Sequence, residues 1–144
     1  MNASPTIHAT AVLAGAKALL IRGEAGSGKS RLALTLIQTL PFARLVGDDR
    51  VHVEAIAGRL LARPARELAG MIEVRGLGIQ QLPFEPVAVV GWVLDLVPAA
   101  DRLPEPGSRT TAISGVTLPR LVLPAGSDPL SAVLAALSRP ASGN

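Results

Sequence analysis

Eight consecutive residues, Gly23, Glu24, Ala25, Gly26, Ser27, Gly28, Lys29 and Ser30, have the types and spacing to bind a phosphate group. Glycines at 23, 26 and 28 let the backbone turn tightly, so that several N–H groups aim at one oxyanion. Lys29, one of only two lysines in the chain, adds a mobile cation for terminal phosphates. The Ser30 hydroxyl suits a Mg2+ ion, and a helix that starts here points the positive end of its dipole at the same place. The pattern is that of a P-loop. A shuffled chain of this composition would match it roughly once in five hundred times.

Such a loop needs a strand to deliver it and a helix to follow. Ala18, Leu19, Leu20 and Ile21 form an apolar run that reads as a buried strand. From Lys29 to Leu40 there is no Gly or Pro, Ala33, Leu36, Ile37 and Leu40 recur at helical spacing, and Pro41 is the stop. A strand over 43–46 ends in Gly47, Asp48 and Asp49, the place where a P-loop sheet delivers its metal-binding acid. Two adjacent acids allow one to face magnesium and the other a hydroxyl proton, and a pair capping a turn is the structural alternative. Glu73 lies among apolar neighbours beside a Gly-x-Gly loop, a costly setting unless a metal or Arg75 compensates; a plain surface strand position is the alternative. His8 reads either as a base or as a polar residue of a leading strand, and His52 as structural.

The remaining elements are read more coarsely. Strands are expected around 6–13 and 18–21 with Gly15 at their turn, a half-exposed strand at 51–55 that alternates with period two, and a turn at Gly58. Residues 60–70 contain Pro64 and read as loop or a single helical turn. Apolar strands follow at 87–96 and 118–123, separated by a Pro-rich loop over 100–107. A closing helix is expected over 129–139 with Ser127 or Asp128 near its cap, and residues 140–144 as a flexible tail. The fold class is α/β, with many strands for few helices and a mixed or largely antiparallel sheet beyond the loop.

Composition narrows the function classes. At 144 residues the chain makes one domain, here 1–139, whose core must come from Leu, Val, Ile and Ala because Phe42, Phe84 and Trp92 are the only aromatics. The net charge is +3, but the arginines are scattered, which argues against a nucleic-acid partner. The absence of cysteine rules out a disulfide framework and thiolate chemistry and fits a reducing compartment. Lys17 and Asp95 interrupt the two longest apolar segments, and the first residues given lack a positively charged start and a cleavable apolar stretch, so a soluble cytoplasmic protein without a membrane segment is expected.

Four separated features, in order, resemble the catalytic domain of the HPr kinase/phosphorylase family: His8, the loop 23–30, Leu45-Val46-Gly47-Asp48-Asp49, and Ile72-Glu73-Val74-Arg75-Gly76-Leu77-Gly78-Ile79. The last stretch is far more specific than a P-loop. The resemblance covers roughly residues 6 to 80 well and the rest loosely. It implies a P-loop core akin to that of phosphoenolpyruvate carboxykinases, and an enzyme that uses ATP and Mg2+ to phosphorylate a serine of the phosphocarrier HPr. It also implies the reverse phosphorolysis by inorganic phosphate. On that pattern Lys29 holds the nucleotide phosphates, Ser30 and Glu73 join Asp48 or Asp49 at magnesium, one of the two aspartates takes the serine proton, and His8 assists. A homo-oligomer is implied as well.

The departures are specific. Longer members carry an N-terminal domain, for which His8 lies too close to the first residue. Residues 123–128 keep Pro124 and Gly126 of a family Pro-Val-Arg-Pro-Gly-Arg stretch but have no arginine, which bears on phosphorolysis; Arg109 and Arg120 are candidate substitutes. Ala25 stands where the family usually has Ser. The competing readings are a nucleotide-sensing regulatory module with little transfer activity and a small-molecule kinase, the latter left with only a short loop after Ile79 for a lid.

Overall fold

The structure, a computed structural model, describes residues 5–98, 109–124 and 128–138. The expected loop over 100–107, Ser127 as a cap and the tail 140–144 lie outside the described residues.

The centre of the molecule is built from strands whose residues are apolar on both faces. In β3 (Lys17–Arg22) every residue from Ala18 to Ile21 is buried. Ala18 and Leu20 enter one apolar cluster while Leu19 and Ile21 enter the other, on the opposite face of the sheet. An unbroken apolar run is what a strand covered on both sides requires. Its neighbours are β2 (Ala9–Ala14), antiparallel through a turn at Gly15, and β9 (Ala88–Val97), parallel. Beyond β2 lies β4 (Ala43–Gly47), again antiparallel to β2, and along the far side of β9 runs β11 (Val116–Pro124), parallel to it. Thus β3, β4, β9 and β11 all run in one direction and their C-terminal ends share one edge.

A second branch carries β1 (Thr6–Ile7), β5 (Val51–Ile56) and β6 (Arg59–Pro64) in antiparallel order, joined to the start of β9 through Leu61 and Ala62. In β5 the valines at 51 and 53 are buried and His52 and Glu54 half-buried, as the alternation predicts. A strand at 59–64 replaces the expected loop. Pro64, read as a breaker, occupies the last paired position opposite Val51, where the strand ends anyway, and the helical turn follows at Arg66–Leu68. A hairpin of β7 (Met71–Val74) and β8 (Gly78–Gln81) forms a separate two-stranded sheet, and β10 (Thr110–Ile113), not foreseen, pairs with β11 through a Ser114-Gly115 turn with both residues at positive φ.

Helix α1 (Lys29–Thr39) buries Lys29, Leu32, Ala33 and Leu36, one face at helical spacing, against the β3 side of the sheet. It ends at Leu40, which turns to extended backbone before Pro41. Helix α2 (Pro129–Leu137) packs beside it on the same face through Val133. Pro129 stands in its first turn, and Asp128 caps it by accepting from the amides of Leu130 and Ser131 and from the Ser131 hydroxyl at 2.6 Å. The architecture is a mixed α/β domain, a curled sheet with two helices among the described residues.

Where β4 ends, the second branch comes very close. A Cβ on Gly47 would lie 2.8 Å from Val51 Cγ1 and 3.1 Å from the Pro64 backbone. Because the obstacle includes main chain, Gly47→Ala is expected to destabilise the fold by about 1–3 kcal/mol, read as a lower urea midpoint with unchanged slope.

Candidate active site

The edge where β3, β4, β9 and β11 end collects the chemistry-bearing residues. Beyond β3 the chain enters the loop 23–28, which reaches α1 only because Gly26 and Gly28 take the left-handed region, at φ 83° and 102°. Gly28 is also the helix cap and supplies no side-chain acceptor, so the amides of the first turn are free to face an anion. Lys29 is buried, and its ammonium folds back to donate to the carbonyls of Gly23 at 2.8 Å and Glu24 at 3.2 Å. The loop thus holds its own cation in place.

Asp48 and Asp49 separate by environment. Asp48 is buried, and its Oδ1 accepts from Ser30 Oγ at 2.7 Å and Thr10 Oγ1 at 2.8 Å. Asp49 sits in the middle of a three-residue turn closed by the Arg50 amide donating to the Asp48 carbonyl at 2.8 Å. Its φ of 71° is a strained value that aspartate tolerates better than most residues. The turn sends its carboxylate outward, 3.0 Å from Nε2 of His8, with both side chains exposed. His8 lies between β1 and β2, and β1 is held beside this turn by its pairing with β5.

The structure therefore brings together Lys29, Ser30 and Asp48, and beside them Asp49 and His8. Glu73 is different. It lies on the exposed face of β7 while its neighbour Ile72 is buried in the helix-side core, so the costly apolar setting inferred from its neighbours is corrected to a solvated one. Among the described residues no three His, Cys, Asp or Glu side chains gather as a metal-ligand set. Thr10 went unrecognised in the sequence. A lone hydroxyl inside the apolar run of β2 was the available signal, but its partner lies 38 residues away.

Arg22, the last residue of β3, is clamped before the loop begins. Its guanidinium makes a two-bond pair with the nearly buried Asp95 of β9, at 2.7 and 2.8 Å, and Arg120 of β11 donates to the same carboxylate. Arg120 is thereby committed to Asp95, and Arg109 is exposed. Burial pushes the Asp95 carboxyl up, but the hydrogen bonds and charges of Arg22 and Arg120 outweigh it and hold the group below its ordinary value of 3.8. A depressed native pKa stabilises the fold above the unfolded value, and that contribution is lost as pH falls through the native one.

Two outcomes follow. Asp95→Asn should be less stable than wild type at neutral pH, and the gap in urea denaturation should narrow as pH falls below about 4; a gap independent of pH would contradict the assignment. Thr10→Val should lower stability by about 1–3 kcal/mol because it strips a donor from a buried carboxylate, measurable in the same titrations.

Residues 1–83 match the model of the HPr Serine kinase C-terminal domain. HPr kinase/phosphorylase of Clostridium beijerinckii is 45% identical over 73 residues, 51% of this chain and 24% of its own length. The Clostridium tetani enzyme of the same name is 48% identical over 65 residues, 45% of this chain and 21% of its own. The matches thus span about a quarter or less of these relatives. Among solved structures, the Hpr(Ser) kinase/phosphatase from Coxiella burnetii superposes with a TM-score of 0.80 at 26% identity, covering 93% of this chain and 95% of that one. With more than half of its residues inside the matched model, the chain belongs to the HPr serine kinase C-terminal domain family.

Proposed function

We propose that this chain is an ATP- and Mg2+-dependent kinase that phosphorylates a serine of an HPr-like phosphocarrier protein of the sugar phosphotransferase system. The observation that carries the reading is the Ser30–Asp48 hydrogen bond of 2.7 Å, formed beside Lys29 at the start of a helix with free first-turn amides. The loop 23–30 is read as the phosphate-binding P-loop of a core akin to that of phosphoenolpyruvate carboxykinases. The Coxiella burnetii protein, similar over nearly all of this chain, supports a transfer function.

A hard cation takes oxygen ligands, and Mg2+ commonly uses one or two carboxylates with substrate phosphates and water. The Ser30 hydroxyl and Asp48 carboxylate fit that description. Bound there, Mg2+ would neutralise charge on the transferring phosphoryl group. Glu73, on a hairpin that packs against α1, is the further ligand implied by family resemblance. Lys29 moves from its two loop carbonyls to the phosphate oxygens. Asp49, exposed and oriented by His8, accepts the proton of the incoming serine hydroxyl while its oxygen attacks the γ-phosphorus and ADP departs. In the reverse direction inorganic phosphate attacks phosphoserine, pyrophosphate forms, and Asp49 returns the proton. Residues 1–139 form the kinase domain of this proposal, in the cytoplasm with its carrier substrate and as a homo-oligomer. No helix among the described residues is long and apolar enough to cross a membrane.

The test uses radiolabelled ATP, Mg2+ and HPr. Wild type is expected to label an HPr serine, and Lys29→Ala to lose nucleotide binding. Asp49→Asn should keep nucleotide affinity while kcat falls by about 100-fold or more. Nucleotide binding without any transfer by the wild type would overturn the kinase reading in favour of a sensor, and pyrophosphate release from phosphoserine-HPr decides the reverse reaction.

A further inference from the structure

Residues 24–27 of the glycine-rich loop are exposed, so its position is decided where it joins α1 and where it leaves the sheet. Ser30 and Asp48 fix the helix end. At the sheet end, β9 holds two consecutive residues of the chain leaving β3. Arg22 lies in register with Asp95, and its guanidinium grips that carboxylate through two bonds. The next residue, Gly23, is pressed against the same strand. A Cβ there would lie 3.1 Å from the Leu96 carbonyl oxygen and would collide with Ser27 Oγ. The Ser27 amide donates to the Glu24 carbonyl at 2.9 Å, so the loop closes back on this point.

The Gly23 carbonyl, adjacent in the chain to the Arg22 grip, accepts from Lys29 at 2.8 Å. A path of direct contacts and one peptide link therefore runs from the Asp95 carboxylate through Arg22 and Gly23 to the Lys29 ammonium. A two-bond fork fixes the plane of the guanidinium as well as its distance, which a point charge cannot do. Arg120 reaches the same carboxylate from β11, but β11 does not lead into the loop. The two arginines thus share one acid while standing differently toward the phosphate site.

We propose that Asp95 and Arg22 are positioning residues of the phosphate site: Asp95, acting through Arg22, sets the place of Gly23 and so of Lys29, and raises the affinity of the loop for polyphosphate anions without touching them. This rests on the phosphate-binding reading of the loop given above. Simple electrostatics gives the opposite sign. A carboxylate near an anion site repels the anion and an arginine attracts it, so removing Asp95 would tighten binding and removing Arg120 would weaken it. Positioning requires that losing Asp95 weaken binding and that losing Arg120 leave it nearly unchanged.

Calorimetric titration with inorganic tripolyphosphate at neutral pH tests this, with urea denaturation of each variant showing that it is folded under the titration conditions. Asp95→Asn and Arg22→Lys, the second keeping the charge and losing the fork, are each expected to weaken tripolyphosphate binding by about fivefold or more. Arg120→Gln is expected to bind within about twofold of wild type although it too loses stability. If folded Asp95→Asn binds as tightly as wild type or more tightly, or if all three variants weaken binding alike, the positioning assignment is wrong. Should Asp95→Asn not fold, wild-type affinity in Arg22→Lys overturns it equally. In those cases the loop reading stands as long as Lys29→Ala abolishes binding; if wild type itself does not bind tripolyphosphate, both fall.

Discussion

A carboxylate buried at the end of an edge strand has to be met by donors, and for Asp48 these come from two other elements. Thr10 reaches it from β2 and Ser30 from the first turn of α1. One side chain therefore fixes β2, β4 and the loop-to-helix junction relative to each other at the point where the candidate chemistry takes place. Losing either donor leaves this buried carboxylate with one hydroxyl where it had two. The rest of the site inherits its placement from this junction: Asp49 is outside because Asp48 is inside, and the sharp turn between them is the geometric result.

The second constraint is the parallel alignment of β3, β4, β9 and β11. Parallel strands put all of their C-terminal ends on one edge, and loops leaving that edge are where ligands meet an open α/β sheet. In this chain the edge is braced on the face away from α1 by Arg22, Asp95 and Arg120, which hold β3, β9 and β11 together just before the chain turns into the loop. The brace and the Asp48 junction lie on opposite faces of the sheet. The loop between them is mounted from both sides.

Much of this was legible in the residues, and the division follows the range of the interactions. The strand, loop and α1 were readable because glycine spacing and apolar periodicity are local signals. Asp48 and Asp49 were readable because they directly follow a strand. Their different environments were not, since burial of one and exposure of the other go with partners at Thr10 and His8, both about 40 residues away. The strand at 59–64 was hidden by Pro64, whose effect depends on falling at a strand end rather than inside it. Glu73 was left open between an apolar setting and a surface strand position because its neighbours Ile72 and Val74 are apolar; alternation along the strand puts it on the face opposite Ile72, which is exposed.

The resting position of Lys29 sets a threshold on what the loop will accept. Its ammonium is held by the carbonyls of Gly23 and Glu24, so an incoming anion does not meet a bare charge but enters an exchange of partners. A weakly charged ion offers little more than two carbonyl dipoles already provide. On the proposed reading of the loop as a phosphate site, only an anion dense enough in charge to draw the ammonium from both carbonyls would gain from entering.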